Sequence, residues 1–247
     1  MIERIVDTPL LVVRNIVIFP FMVIPLNIGR DFSIKSIEDS LKKNSEIAVF
    51  TQKKLDDEEL GINDIYEVGV LANILKMVRF PDGTLRILVE ASKRIKLERF
   101  TIENGTSYGD VSILEEIYEK DQELDALYKI TKSKFENCLG KGLNVTPEVI
   151  SPAIDIENPA RLSDIVIAQL DIDITEKYNG LQETNVKNRL KLTSEYLNKE
   201  LDILEIKNKI QEKIKKGMDD TQREFFLREQ LKAIQDELGM KPENDEE

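Results

Sequence analysis

Three pairs of nearby side chains carry the makings of a hydrolase: Ser33 with Lys35, Ser92 with Lys93, and Ser133 with Lys134. A lysine of depressed pKa can draw the proton from a serine hydroxyl and leave a nucleophile. Residues so close along a chain generally do not face each other, so each pair reads as helix-start or exposed polar residues. Asp56-Asp57-Glu58-Glu59 offers carboxylates to a cation, but without calcium-loop spacing it reads as an acidic loop or helix start. Gly140-Lys141-Gly142 hints at a phosphate loop. It lacks P-loop spacing, and Val145 stands where a dinucleotide fingerprint has its third glycine, so a helix end after Leu139 is the better reading. The sequence has no histidine, which removes Ser-His-Asp and Cys-His machinery and imidazole metal ligands. Its one cysteine, Cys138, excludes an internal disulfide or a multi-cysteine zinc site and fits a reducing compartment. No catalytic, cofactor-binding or metal-binding residue is expected in this chain.

What stands out instead is apolar: Ile18-Phe19-Pro20-Phe21-Met22-Val23-Ile24-Pro25. Two readings are open. Phe19 and Phe21 fill a core, or Phe21 and Met22 are partly exposed as a soft, adaptable surface suited to unfolded chains.

The 247 residues carry a net charge of −12, which argues against a nucleic-acid partner needing a basic face. At 41% hydrophobic and 33% charged, the composition is that of a folded globular protein with a heavily charged surface. The longest apolar run, Ile16 to Leu26, is interrupted by Pro20 and Pro25 and falls short of the roughly 20 residues needed to span a bilayer. The start, Met1-Ile2-Glu3-Arg4, does not read as a signal peptide.

The elements that must position these residues change character along the chain. From Leu10 to about Ile117 the pattern is β-like, with short apolar runs at 10–13, 16–18 and 47–50. Val70, Ala72, Ile74, Val78 and Phe80 recur with period two, Asp82-Gly83 follows, and Leu85, Ile87, Val89 and Ala91 alternate beyond it. A two-residue turn there pairs Phe80 with Leu85 and Val78 with Ile87 on an inner face, leaving Met77, Arg79, Arg86 and Leu88 outside. Ser33 to Lys43 reads as a helix burying Ile34, Ile37 and Leu41, and 95–97 and 111–113 as further strands. The result is a small β-barrel or curled sheet.

After about Glu115 the period becomes helical. Leu124, Leu127, Tyr128, Thr131, Phe135 and Cys138 form one stripe. Thr146-Pro147-Glu148 starts a short helix carrying Val149, Ile150, Ala153 and Ile154, and Asn158-Pro159 reads as an N-cap with proline at the first helical position. From Glu183 to Lys216 there is neither Pro nor Gly, as in an extended arm. Leu190, Leu197, Leu201 and Leu204 form one stripe and Ile203, Ile206, Ile210 and Ile214 another, displaced around the helix. That drift fits a helix packed on its own domain first and projecting later. Gly217 marks a break, Asp219 or Asp220 caps a new helix lined by Leu227, Leu231, Ile234 and Leu238, and Gly239 ends it.

Pro9 to Pro20 (PLLVVRNIVIFP), Pro25-Leu26, Val68-Gly69-Val70, Phe80 to Thr84 (FPDGT) and Val89 to Arg94 (VEASKR) resemble the N-terminal domain of the bacterial ATP-dependent Lon protease family. Glu195 to Met218 resembles the long helix that follows it there. Gln222 to Gly239 (QREFFLREQLKAIQDELG) is similar to the stretch before that family's ATPase module. The resemblance runs in order from residue 8 to residue 239 and implies an α+β fold. A PUA-like β domain would span 1–117, a helical subdomain 118–182, and a long coiled-coil-like helix with linker 183–247. The family continues with an AAA+ module and a Ser-Lys protease domain, so the chain resembles an N-terminal fragment, with ATP and Mg acting in the missing module. The resemblance implies a cytoplasmic homohexamer whose N-terminal region recognises misfolded, damaged or degron-bearing proteins. Pro20, Phe21, Met22, Met77 and Phe80 are the expected substrate contacts. Leu197, Leu201, Leu204, Ile210, Ile214, Phe225 and Phe226 are the expected arm or oligomer contacts. Two alternatives are a free-standing protein of the same domain type and an arm acting mainly in assembly.

Overall fold

The computed structural model describes residues 3–54, 61–145 and 156–237. The acidic run 56–59 and the expected helix at 146–154 lie outside them. Six strands form one mixed sheet: β1 (Arg4–Val13), β2 (Val23–Ile28), β3 (Glu46–Thr51), β4 (Val68–Arg79), β5 (Leu85–Glu103) and β6 (Thr106–Ile113). Their order is β2-β5-β4-β3-β1-β6, and β5 also pairs with β6, so five strands close into a barrel and β2 is added outside. Only β1 and β3 run parallel. Closure is possible because β5 is one strand of 19 residues, whose first half pairs with β2 and β4 and whose second half pairs with β6. The expected strand at 95–97 is a piece of it, whereas residues 16–18 form no strand.

Closure explains why the end of β1, Leu10 to Val13, reads as an unbroken apolar run. Leu10 and Val12 point into the barrel with Ala48, Phe50, Leu71, Ile95 and Val111. Leu11 and Val13 point outward, into a larger core shared with the helices. A strand covered on both faces loses the alternation that a half-exposed strand shows. Gly69 lies against Phe50 and the Val49 carbonyl, where a Cβ would come within 2.3 Å of that oxygen.

Helix α1 (Asp31–Lys42) follows β2 and packs on β1, β3 and β6. Its inner face is Ser33, Ser36, Ile37 and Ser40, while Ile34 and Leu41 are half-buried. The Ser36 and Ser107 hydroxyls lie 2.9 Å apart, and Ser36 Oγ accepts the Ser107 amide at 3.0 Å. A serine-lined helix approaches the strands closely because its small side chains find hydrogen-bond partners among them.

Among the described residues the further α-helices are α2 (Gln122–Gly140), α3 (Pro159–Gln169), α4 (Ile174–Gln182) and α5 (Val186–Glu237). Asp121 caps α2 through Leu124 N, and Asn158 caps α3 through the amides of Ala160 and Arg161, with Pro159 next as the sequence predicts. Helix α2 ends at Gly140, and Gly142 takes φ +98°, so the two glycines end a helix. Helix α5 runs unbroken for 52 residues. The expected break at Gly217 is therefore absent: one glycine costs a helix about 1 kcal/mol, which flanking helix-formers absorb.

Candidate protein-binding surface

The loop between β1 and β2 divides its last four residues, Phe19 to Met22, sharply. Phe19 is fully buried in the shared core, and Pro20 is buried as well. Phe21 turns outward, 57% exposed, at φ +65°. Met22 is half-buried, with its sulfur 3.3 Å from the Phe19 amide that donates to it. The core reading therefore holds for Phe19 and fails for Phe21, which is exposed. The left-handed backbone at Phe21 costs roughly 1–2 kcal/mol for a residue with a Cβ. Two hydrogen bonds across to β5 hold it there: Phe21 N to Ala91 O (2.8 Å) and Ala91 N to Met22 O (2.9 Å). The guanidinium of Arg161, on the first turn of α3, covers the Phe21 ring. Beside the loop opens a cavity of about 450 Å³, lined by Pro20, Phe21, Ser92, Lys93 and Leu114 among others.

The β4–β5 hairpin carries a second apolar group. Its loop has three residues, not two. Phe80 N donates to Thr84 O at 2.9 Å, Gly83 N to Phe80 O at 3.0 Å, and Gly83 takes φ +86°. The register is therefore Arg79 with Leu85 and Val78 with Arg86, one residue away from the expected pairing. A slip of one residue exchanges the two faces of a strand. An irregularity between Ile74 and Lys76 adds to the exchange. Val78 and Phe80, expected to face inward, are exposed, as are Met77 and Leu75. Val23, just past the first loop, is exposed too. Val23, Leu75, Val78 and Arg161 escaped the sequence reading because only register and tertiary packing expose them or place them against the loop.

The two groups do not form one patch. Phe21 sits opposite Ala91 and Phe80 opposite Thr84, seven residues apart along β5. At about 3.3 Å per residue that is about 23 Å, with Met77 and Val78 toward the hairpin end.

A buried ionic junction fixes this surface to the helices. Arg94 on β5 donates to Asp164 on α3 (Nη1 to Oδ2, 3.0 Å), to Glu116 (3.0 Å) and to the Leu181 carbonyl on α4 (2.9 Å). Arg189 on α5 reaches the same Asp164 carboxylate at 3.1 Å and also bonds Glu116. The Asp164 side chain is 2% exposed. Burial pushes its carboxyl upward, and the charges of Arg189 and Arg94 act against that. Nearby, Tyr178 on α4 stacks on Tyr66 at 4.1 Å and accepts the Val68 amide.

No Ser-Lys pair of the sequence reading assembles a nucleophile. Ser92 donates to the Leu71 carbonyl. Lys134 meets Ser194 at 2.8 Å, but its ammonium also bonds the Ser194 carbonyl, tying α2 to α5 around a buried serine. Among the described residues no group of acidic or cysteine side chains is placed to hold a metal ion. None of their helices is long and apolar enough to cross a membrane.

The expected arm contacts separate along α5. Leu197 and Leu204 are buried in the chain's own core and Leu201 packs on it, so the first two have no surface left for a partner. Ile210 (51%), Ile214 (58%) and Phe225 are exposed, and the Phe226 side chain lies outside the described ones. Asn208, bonded to the Lys141 carbonyl, is the last described α5 side chain to reach the body.

A family profile described as "ATP-dependent protease La (LON) substrate-binding domain" matches residues 7–199. The chain belongs to this Lon family. It is 38% identical over 236 residues to the Lon protease of Buchnera aphidicola and 35% identical over 238 to that of Escherichia coli K12. These alignments cover 95% and 96% of the chain but 30% of each relative, so the chain spans about a third of the Lon proteases it matches. Two solved structures share the Lon N-terminal fold. The N-terminal domain of Mycobacterium avium complex Lon protease aligns at TM-score 0.60 and 20% identity, over 78% of this chain and 98% of that one. A Lon N-terminal domain protein from Xanthomonas campestris aligns at 0.55 and 19%, over 76% and 96%.

Proposed function

We propose that this chain is the substrate-engaging region of a cytoplasmic ATP-dependent Lon protease, binding extended apolar segments of misfolded, damaged or degron-bearing proteins. The observation that carries the reading is Phe21, an exposed aromatic held at a strained φ by two backbone bonds and an arginine. Strain of that kind persists where the surroundings over-determine it, and such positions cluster at ligand sites. Phe21, Met22 and Val23 form one anchor, and Met77, Val78 and Phe80 the other. A segment engaging both is extended and about eight residues long, a length only an unfolded or terminal stretch offers. Pro20 shapes the cavity wall. ATP hydrolysis with Mg, and peptide cleavage, belong to other parts of a Lon protein, and this chain binds without catalysing.

Titration of the 15N-labelled chain with a permanently unfolded protein tests the location. Shifts concentrated at 19–23 and 75–80 support it. Shifts confined to α2 and α5 would refute it.

A second reading, subunit association through the arm, is favoured by one observation: Ile203, Ile206, Ile210 and Ile214 expose an apolar stripe. Such a stripe normally seeks a partner helix. Sedimentation of this chain against Ile203→Ser/Ile206→Ser/Ile210→Ser/Ile214→Ser decides it, since monomers in both would rule out association through that stripe.

A further inference from the structure

One groove remains unused by the reading above. It follows the edge of β2 that pairs with no strand among the described residues, and continues to the start of α1. Its volume is about 480 Å³, and Arg14, Pro25, Asn27, Arg30 and Ser33 are among the residues lining it.

Two guanidiniums meet at this groove without a carboxylate. Arg14 Nε donates to Gln52 Oε1 at 3.1 Å, and Arg30 Nη2 donates to the same oxygen at 2.9 Å. Among the described residues neither arginine forms an ion pair, although the sequence holds 47 acidic residues against 35 basic ones. Asp31, next in sequence, is exposed and pairs with neither. Arg30 Nη1 is buried and has no hydrogen-bond partner. A buried donor without an acceptor costs about 1–3 kcal/mol, more when charged. Burial and the charge of Arg14 lower the pKa of Arg30, so each cation raises the cost of the other. Arg30 is also the N-cap of α1, and no side chain caps the first amides of that helix. Those amides carry the positive end of the helix dipole. Arg30 also lies over the Phe32 ring, 5.4 Å from its centroid, but among the described residues no carboxylate pairs with either guanidinium at the groove.

We infer that this groove is a carboxylate-binding subsite, in which Arg14, Arg30 and the first turn of α1 hold an acidic group of an extended protein segment. The inference rests on the protein-binding reading, which makes carboxylate the available oxyanion. Its position fits that reading. Phe21 lies just before β2 and Arg30 just after it, so a segment running along β2 reaches from the aromatic anchor to the guanidiniums in about nine residues. An arriving carboxylate would offset the charge that Arg14 and Arg30 share, and the planar forks of two arginines suit its oxygens.

The test uses the whole chain and two fluorescent peptides sharing one apolar core. One ends in Asp-Asp with a free terminus, the other in Asn-Asn with an amide. The acidic peptide is expected to bind about tenfold more tightly, the worth of one or two charge-assisted hydrogen bonds. Arg14→Ser/Arg30→Ser is expected to erase that preference and leave the neutral peptide unaffected. Arg14→Lys/Arg30→Lys keeps the charge and tests the fork if the serine variant unfolds. Phe21→Ser is expected to weaken both peptides equally. Equal binding of the two peptides to the unaltered chain would overturn the subsite and leave the apolar reading standing. If neither peptide binds, the apolar reading falls, and titration with sodium acetate decides the subsite alone. Shifts of the Arg14 and Arg30 Nε resonances sustain it, and their absence overturns it. Shifts with inorganic phosphate but not with acetate would also overturn it.

Discussion

The guanidinium of Arg161 lies over the ring of Phe21, its Cζ 5.1 Å from the ring centroid, so the first turn of α3 braces a loop of the β-barrel domain. That contact joins the helical body to the exposed Phe21 of the proposed binding surface. It is a cation–π pair at a surface position, where such pairs contribute about 0.5–1 kcal/mol.

The strain at Phe21 predicts an unusual mutant. Phe21→Gly relieves roughly 1–2 kcal/mol of left-handed backbone cost. It adds back about 0.5–1 kcal/mol of chain entropy and loses the arginine contact. Urea unfolding should therefore place the variant within about 1 kcal/mol of the parent, while affinity for unfolded protein falls. A large loss of stability would show that Phe21 serves the fold instead.

Asp164 neutralises two buried arginines, so Asp164→Ala should be severe. Removing one partner of a buried ion network costs about 3–5 kcal/mol, because the remaining charges stay buried. The cost should appear as a lower urea midpoint and earlier exposure of Tyr66 and Tyr178, whose rings stack on each other.

Gly69→Ala should destabilise by about 1–3 kcal/mol through overpacking. The new methyl would meet the Val49 carbonyl at 2.3 Å and Phe50 Cδ1 at 2.5 Å, and β3 cannot yield without opening the barrel. A thermal melt indistinguishable from that of the parent would contradict this packing.

Cys138 is fully buried and donates to the Leu197 carbonyl, and burial pushes its thiol up to about 11 from 9.0. The folded chain holds this proton more tightly than the unfolded one. That contribution to stability is complete below about 9 and is lost as the pH rises toward about 11. Thiol reagents at mildly alkaline pH should leave native Cys138 untouched and modify it at once in urea.

Much of this architecture was legible in the residues. Asn158-Pro159 announced the start of α3, the stripe from Leu124 to Cys138 announced α2, and the two stripes of α5 announced a helix that packs first and projects afterwards. Features set by pairing over long distances were not legible. The hairpin loop took three residues at Pro81-Asp82-Gly83, and that slip together with the irregularity between Ile74 and Lys76 put Val78 and Phe80 on the face opposite to the expected one. Helix α4 carried too weak a stripe to be foreseen. Phe19 and Phe21 are the same residue type two positions apart, and only the backbone at Phe21 sends one into the core and the other to solvent. Arg94, Asp164 and Arg189 are scattered over 95 residues, with no local pattern to mark them as one junction.

The most direct test of the central claim is the affinity of the chain for a fluorescently labelled, permanently unfolded protein, compared with that of Phe21→Ser/Met22→Ser. The account predicts saturable binding by the parent chain and at least about a tenfold loss in the variant, the worth of one buried aromatic anchor, with both circular dichroism melts alike. Equal affinity in two equally folded proteins would contradict it.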